Sequence, residues 1–346
     1  MGRRILVTGL GSYWGGRVAR ALETRPDVDV VVGMDTSAPR VALERTEYVR
    51  CDETYSILAR LVRATQVDTV VHAALIVDST GSGAGRIHDN NVIGTMNLLA
   101  AASASDSAVR HLVVKSSALV YGADARDPTW FAEDTPRSAP ARTSIERSLI
   151  EIEGHLQGFA EEAGGRRVAI LRFANVLGEG IVTPLTRALD LPAVPVVAGF
   201  DPLLQFVAET DVVAAMAWAV GRELEGTFNV AGDGRLPWSE VIALAGKHPW
   251  PLPPVGASLW GELLGRLRIV DLPPEVVALL RYGRGIDNRR SKEAGFRYHC
   301  STLGAVQAHV ERQRLRHAVG AEPGYRYEAE VEAFFRHSPA VVRPPS

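Results

Sequence analysis

Residues Arg4 to Gly16 read R-I-L-V-T-G-L-G-S-Y-W-G-G. Ile5, Leu6 and Val7 form an apolar run without polar alternation, as expected of a strand buried on both faces of a parallel sheet. Thr8 and Gly9 end the run, and Gly9, Gly11, Gly15 and Gly16 crowd the turn that follows. Trp14 to Glu23 then carry helix formers, with Val18, Ala21 and Leu22 on one face. Strand, glycine turn and helix in this order suit a pyrophosphate: the glycines admit it close to the backbone, and the helix start offers free N–H groups and a positive dipole end. Gly9, Gly11, Ser12, Tyr13, Trp14 and Gly15 are therefore candidate cofactor contacts.

Working outward, Val28 to Met34 is a second apolar run ending at Asp35, about 20 residues past the turn, where a carboxylate accepts from an adenosine ribose 2′-OH. A carboxylate there repels a 2′-phosphate, which favours NAD over NADP, although Arg17 and Arg40 keep NADP open. Glu47 to Cys51 reads as a third strand leading into Asp52 and Glu53. Asp52 either meets the adenine amino group or caps a helix from Ser56 to Ala64, and both readings stand. Val67 to His72 is the fourth run. Ala73 and Ala74 behind it are small enough for a cofactor to lie against the strand end, and His72 reads as a core histidine rather than a base.

Asp78 to Gly85, D-S-T-G-S-G-A-G, reads as a flexible loop, and Asn91 opens a helix to Ser105. His111 to Lys115 is a fifth strand delivering Ser116 and Ser117. Thr143 to Ala163 is a further helix and Val168 to Arg172 a sixth strand. This alternation predicts an α/β fold, a Rossmann-type doubly wound parallel sheet with a smaller C-terminal substrate-binding cap. The expected division is a nucleotide-binding domain over 1–174 with sheet returns near 205–231, a cap over 175–204 and 232–330, and a tail over 331–346. Within the second half, Asp211 to Val220 reads as a helix, Thr227 to Val230 as a strand, Pro249 to Pro254 as a proline-rich link, Leu259 to Ile269 as an apolar stretch and Gln307 to Arg316 as a charged helix.

A net charge of -2 and a pI near 6.5 give no reason to expect nucleic acid or an anionic membrane as partner. Two cysteines, Cys51 and Cys300, are too few for a disulfide framework. The first strand begins too close to Met1 for a signal peptide, and no apolar run reaches about 18 residues, so a cytoplasmic protein without a membrane span is expected. No metal site is expected.

Several strings together resemble the extended, and in part atypical, short-chain dehydrogenase/reductases. They are T-G-x-G-x-x-x-G at Thr8 to Gly15, V-V-H-A-A at Val70 to Ala74, N-V-x-G-T-x-N-L-L at Asn91 to Leu99, S-S-A-x-V-Y-G at Ser116 to Gly122 and L-R-x-x-N at Leu171 to Asn175. Within that superfamily the chain is similar to the NAD-dependent epimerase/dehydratase branch and to actinobacterial UDP-glucose 4-epimerase-like proteins. The resemblance implies NAD, a small-molecule substrate such as a nucleotide sugar, and a homodimer formed through two long helices. It also implies cofactor contacts from Asn91, Ser116 and Ser117, a catalytic role for Ser117, and a substrate pyrophosphate contact from Asn175.

The family's chemistry pairs that serine with a tyrosine, whose pKa a lysine four residues later lowers so that it can take a proton. Here the tyrosine slot holds Ser144 or Ile145 and the lysine slot Ser148 or Leu149, and none of the three lysines, Lys115, Lys247 and Lys292, follows a tyrosine by four. Tyr121, Glu133, Asp134 and Glu146 are the candidate substitutes. The family's R-D-[FY]-x-H-V-x-D string has become L-Q-F-V-A-E-T-D at Leu204 to Asp211, and the middle glycine of the turn is Ser12. A late phosphate contact falls to Arg281, Arg284, Arg289 or Arg290. Two functions follow: an epimerase/dehydratase-like oxidoreductase without the usual Tyr-x-x-x-Lys pair, or a catalytically silent NAD(P)-binding sensor or scaffold.

Overall fold

The computed structural model describes residues 2–78, 82–162, 165–256 and 272–319. The apolar stretch expected at 259–269, the tail at 331–346 and part of the 78–85 loop lie outside the described residues.

Six strands follow the apolar runs, each but the β2–β3 pair separated from the next by helix: β1 (Arg3–Thr8), α1 (Tyr13–Glu23), β2 (Val28–Asp35), β3 (Thr46–Arg50), α2 (Tyr55–Thr65), β4 (Thr69–His72), α3 (Ala84–His88), α4 (Gly94–Ser103), β5 (His111–Ser117), α5 (Ser144–Glu162) and β6 (Arg167–Phe173). The chain then forms β7 (Asn175–Leu177), α6 (Pro184–Asp190), β8 (Ala193–Val197), β9 (Leu203–Leu204), β10 (Phe206–Ala208) and α7 (Glu209–Arg222), and returns to the sheet as β11 (Gly226–Val230). The seven-stranded order is β11-β6-β5-β4-β1-β2-β3, with every pair parallel. Consecutive residues Ile5 to Val7 and Leu112 to Val114 are all buried, as strands covered by helices on both faces require. The order reverses between β1 and β4, and ligands of open parallel sheets bind at the carboxyl ends beside such a reversal.

A second hydrophobic cluster, centred on Phe206, Trp238, Val194 and Leu280, gathers residues from β7 onward, including β12 (Leu236–Pro237), α8 (Trp238–Leu244) and β13 (His248–Leu252). Among the described residues no helix is long and apolar enough to cross a membrane.

Two expectations need correction. The helix expected to open at Asn91 begins at Ala84, passes through a π turn at Asp89–Ile93 and continues as α4. Ile87 supplies a buried anchor that the glycine-rich composition concealed. The widened turn lets Asn90 donate to Ala74 O while Asn91 holds both the N–H and the carbonyl of Ile76. The proline-rich link is partly a strand: β13 pairs in parallel with β8 in a two-stranded sheet, an edge position that tolerates Pro249 and Pro251.

Candidate functional site

The glycine turn is built from contacts that leave no room for side chains. Gly9 sits at φ +69°, and a Cβ on Gly15 would lie 2.1 Å from Gly9 O, one on Gly9 2.6 Å from Ala74 Cα. Ser12 takes the place of the usual glycine by becoming the N-cap of α1: its Oγ accepts from Gly15 N at 3.0 Å. Asp35 accepts from Gly11 N at 3.1 Å through one oxygen and from Ser37 N at 2.9 Å through the other, so the carboxylate at the end of β2 also shapes the turn.

Two cavities open at the carboxyl edge of the sheet, on either side of the first turn of α1. One, of about 590 Å³, is lined by Gly9, Ser12, Asp35, Asp52, Glu53 and Ala74, at and beyond the carboxyl ends of β1, β2, β3 and β4. Asp52 is exposed there and accepts from Thr54 N at 3.1 Å, a turn just ahead of α2. Ala73 is buried behind Ala74. Glu53 Oε1 has no hydrogen-bond partner among the described residues, and burial pushes its carboxyl up to about 7. The other cavity, of about 370 Å³, is lined by Tyr13, Trp14, Lys115, Ser117, Asn175 and Arg284, among others.

The structure does not bring every candidate to these cavities. Asn91 is fully buried, fastening the segment after β4 and donating to Ser148 Oγ at 3.1 Å. Tyr13 lines the second cavity but donates its hydroxyl to Glu179 O beyond β7. Ser116 lines the cavity and donates to Glu153 Oε1 at 2.6 Å, whereas Ser117 Oγ accepts from Leu119 N at 3.2 Å.

Tyr121, expected as a candidate substitute for the missing tyrosine, is corrected by its burial. It stacks on Phe131, donates to Asn229 Oδ1 at 2.8 Å and accepts from Arg172 at 2.7 Å. Burial raises its pKa, the wrong direction for a proton acceptor.

The carboxylate substitutes are likewise committed elsewhere. Glu133 accepts from Asn229 N, and Glu146 accepts from Arg142 N and Thr143 N at the start of α5 and pairs with Arg137. Asp134 is exposed and lines neither cavity.

Both registers of the missing pair end in structure. Ile145 and Leu149 are core residues, and Ser148 is buried against Asn91. Leu204 and Ala208 are buried, and Asp211 accepts from His299 N and Cys300 N. Asn175 lines the second cavity while donating to Gln205 O at 3.0 Å.

Of the four late arginines, Arg284 reaches that cavity, donating to Ala118 O and Gly122 O; burial holds its pKa down to about 10. Arg281 lies over Phe200, Arg289 pairs with Asp287, and Arg290 lies over Phe228. The two arginines that kept NADP open are also placed. Arg17 pairs with Glu209 at 3.1 Å, and Arg40 lines the second cavity rather than the one beside Asp35.

His72 is a structural group, as its sequence context implied. It is fully buried between Thr8 Oγ1 at 2.6 Å and Thr95 Oγ1 at 3.1 Å, and burial lowers its pKa to about 4. The unfolded chain therefore binds a proton at this residue below about pH 6.5 that the folded chain refuses until about pH 4. Stability supplied by the neutral ring is present above the unfolded value and is lost as pH falls through that window. Relative to a His72→Gln variant, wild type is expected to lose about 2 kcal/mol between pH 7 and pH 5, measured by urea denaturation at each pH. Glu53 lies 4.0 Å away and binds its proton in the same range, so the comparison is repeated with Glu53→Gln in both proteins, which leaves the ring as the titrating member of the pair. A difference that does not change with pH would contradict the neutral buried ring.

Comparison with known proteins agrees with this arrangement. The model of the NAD dependent epimerase/dehydratase family matches residues 5–231, from β1 to the end of β11. The chain belongs to that family. An uncharacterized protein of Mycobacterium tuberculosis is 34% identical over 307 residues, covering 87% of this chain and 81% of its own. The UDP-glucose 4-epimerase of Erwinia amylovora is 28% identical over 188 residues, half of this chain and 53% of that one. Among solved structures, the Thermotoga maritima UDP-glucose 4-epimerase with UDP-glucose superposes with a TM-score of 0.68 at 20% identity, covering 90% of this chain and 99% of that one. The Bacillus anthracis dTDP-glucose 4,6-dehydratase in complex with NAD gives 0.67 at 17% identity, covering 92% and 98%. These superpositions place the chain in the epimerase/dehydratase fold.

Sequence reasoning missed two features of this family member. One is the buried Glu153–Arg172 pair, at 2.6 Å, beneath the site. The other is Lys115, whose signal was available: a lone lysine ending an apolar strand, two residues before Ser117 and hence on the same face.

Proposed function

We propose that this chain binds NAD across the two cavities and acts on a nucleotide sugar as an epimerase/dehydratase-type oxidoreductase. The observation that carries the reading is the pair of cavities flanking the first turn of α1, one with Asp35 at its rim and the other with Ser117, Asn175 and Arg284 in its wall. The residues present suit the dinucleotide. The turn around Gly9 and Gly15 presents backbone N–H groups to a pyrophosphate, Asp35 retains acceptor capacity for a ribose hydroxyl, and Ala74 leaves space for adenosine. NAD, when bound, supplies the hydride acceptor. Asn175 and Arg284 would hold the phosphates of the sugar nucleotide, and Ser117 would orient the hydroxyl that is oxidised.

A second reading, a silent NAD-binding sensor or scaffold, is favoured by one fact. Tyr121 and the carboxylates Glu133 and Glu146 are all engaged away from the cavity. Calorimetry with NAD followed by a panel of UDP- and dTDP-sugars decides between them. Sugar-dependent growth of reduced-nicotinamide absorbance, lost in Ser117→Ala, supports the oxidoreductase. Tight NAD binding with no reduction by any sugar supports the sensor, and no binding of NAD or NADP ends both. Dimerisation through α4 and α5 belongs to the same proposal, since Met96 and Ile150 are exposed apolar side chains on those helices.

A further inference from the structure

Lys115 is an anomaly in β5. Its neighbours Val113 and Val114 are fully buried, and Lys115 itself is only 3% exposed, yet it lines the cavity that holds Ser117. Its Nζ makes no hydrogen bond or ion pair with any described residue. The ammonium position lies over the face of the Trp14 ring, 5.4 Å from its centroid at the start of α1. Buried lysines ordinarily find a partner, because an unpaired ammonium loses its hydration without compensation. Strand alternation puts Lys115 and Ser117 on the same face while Ser116 between them turns to Glu153.

We propose that Lys115 is the proton-accepting group of this site, standing in for the absent tyrosine and lysine. This rests on the oxidoreductase reading given above. In the forward step the O–H bond of a substrate hydroxyl breaks and its proton passes to the neutral Nζ. The C–H bond of the carbon bearing that hydroxyl would break and its hydride would pass to NAD, the oxidant named above, so that alcohol becomes carbonyl and amine becomes ammonium. The ammonium returns the proton when the carbonyl is reduced again. Ser117, on the same face, orients the hydroxyl.

Burial alone lowers the pKa of Lys115 to about 8, so a share of the amine is neutral at physiological pH. The charged groups that share the cavity wall are Arg40, Asp78, Glu275 and Arg284, the last tied to the Ala118 and Gly122 carbonyls. From β6, the register partner of Lys115 is the apolar Leu171.

With only three lysines in the chain, competitive acylation with a trace amine reagent followed by peptide mapping reads the amine directly, without any turnover. The Lys115 peptide is expected to reach half its maximal labelling near pH 8, below the ordinary lysine value of about 10.4, and to be protected by NAD together with UDP-glucose. Lys115→Met and Lys115→Arg are expected to bind NAD as wild type does but to lose about 10²–10⁴-fold in hydride transfer, the usual share of general acid–base catalysis. The single-turnover rate of wild type should rise with pH through the same value.

Ordinary lysine titration, no protection by ligands, or a Lys115→Arg enzyme as fast as wild type would each overturn the proposal while wild type still reduces NAD. Wild type that binds NAD but reduces none with any sugar overturns the oxidoreductase reading itself, and this proposal with it.

Discussion

Replacing Glu153 by alanine is expected to cost about 3–5 kcal/mol of stability, the range for removing one member of a buried ion pair. Arg172 is 9% exposed and Glu153 4%, and they meet through three contacts, at 2.6, 3.0 and 3.3 Å. Ser116 donates to the same carboxylate, and Arg172 also donates to Tyr121 Oη and Glu133 O. Asn229 joins the network from β11. The cluster thus ties α5, β5, β6 and β11 together directly beneath the second cavity. Alanine would leave a cation buried without its counter-charge. Replacing both partners, as Glu153→Leu with Arg172→Met, should restore much of the loss, because the desolvation penalty of both ions disappears. Urea denaturation of the two variants provides the measurement. A Glu153→Ala loss below about 1 kcal/mol would show that water reaches the pair.

Gly15→Ala is expected to weaken NAD binding about 100-fold while leaving the sheet folded. Its Cβ would fall 2.1 Å from Gly9 O and 2.8 Å from Leu10 Cα, both backbone atoms that no rotamer change can move. The turn must open, and the N–H groups aimed at the pyrophosphate are displaced. Two hydrogen bonds to a charged group, each worth about 1.5 kcal/mol, amount to about 3 kcal/mol, or roughly that factor in affinity. Calorimetry gives the affinity and circular dichroism the fold. Gly154→Ala on α5, where an added Cβ meets nothing within 4 Å, is the control that should bind NAD normally. Equal affinity for the two variants would mean that the turn does not hold the pyrophosphate.

The legible parts of the fold were those in which neighbouring residues share one local pattern. Apolar runs at Ile5 to Val7, Val70 to Val71 and Leu112 to Val114 announced a sheet covered on both faces, and the glycines after β1 announced the turn. The 84–90 segment escaped because Gly83 and Gly85 look like loop, whereas Gly83 is the N-cap of a helix that runs through Gly85 and buries Ile87. The site was legible only where backbone sets it. Asp35, at a strand end beside the turn, fell in place because β2 runs parallel to β1.

By itself, the amino-acid sequence determined the parallel sheet, the glycine turn with its carboxylate, and the absence of a tyrosine followed four residues later by lysine, since each is a property of adjacent residues and their period. Tertiary structure alone decided that Tyr121 is locked to Arg172 and Asn229, that Asn91 is a fastener, and that Lys115 faces a cavity. The physical reason is that a polar side chain's chemistry depends on its burial and partners, and those come from strands and helices distant in the chain.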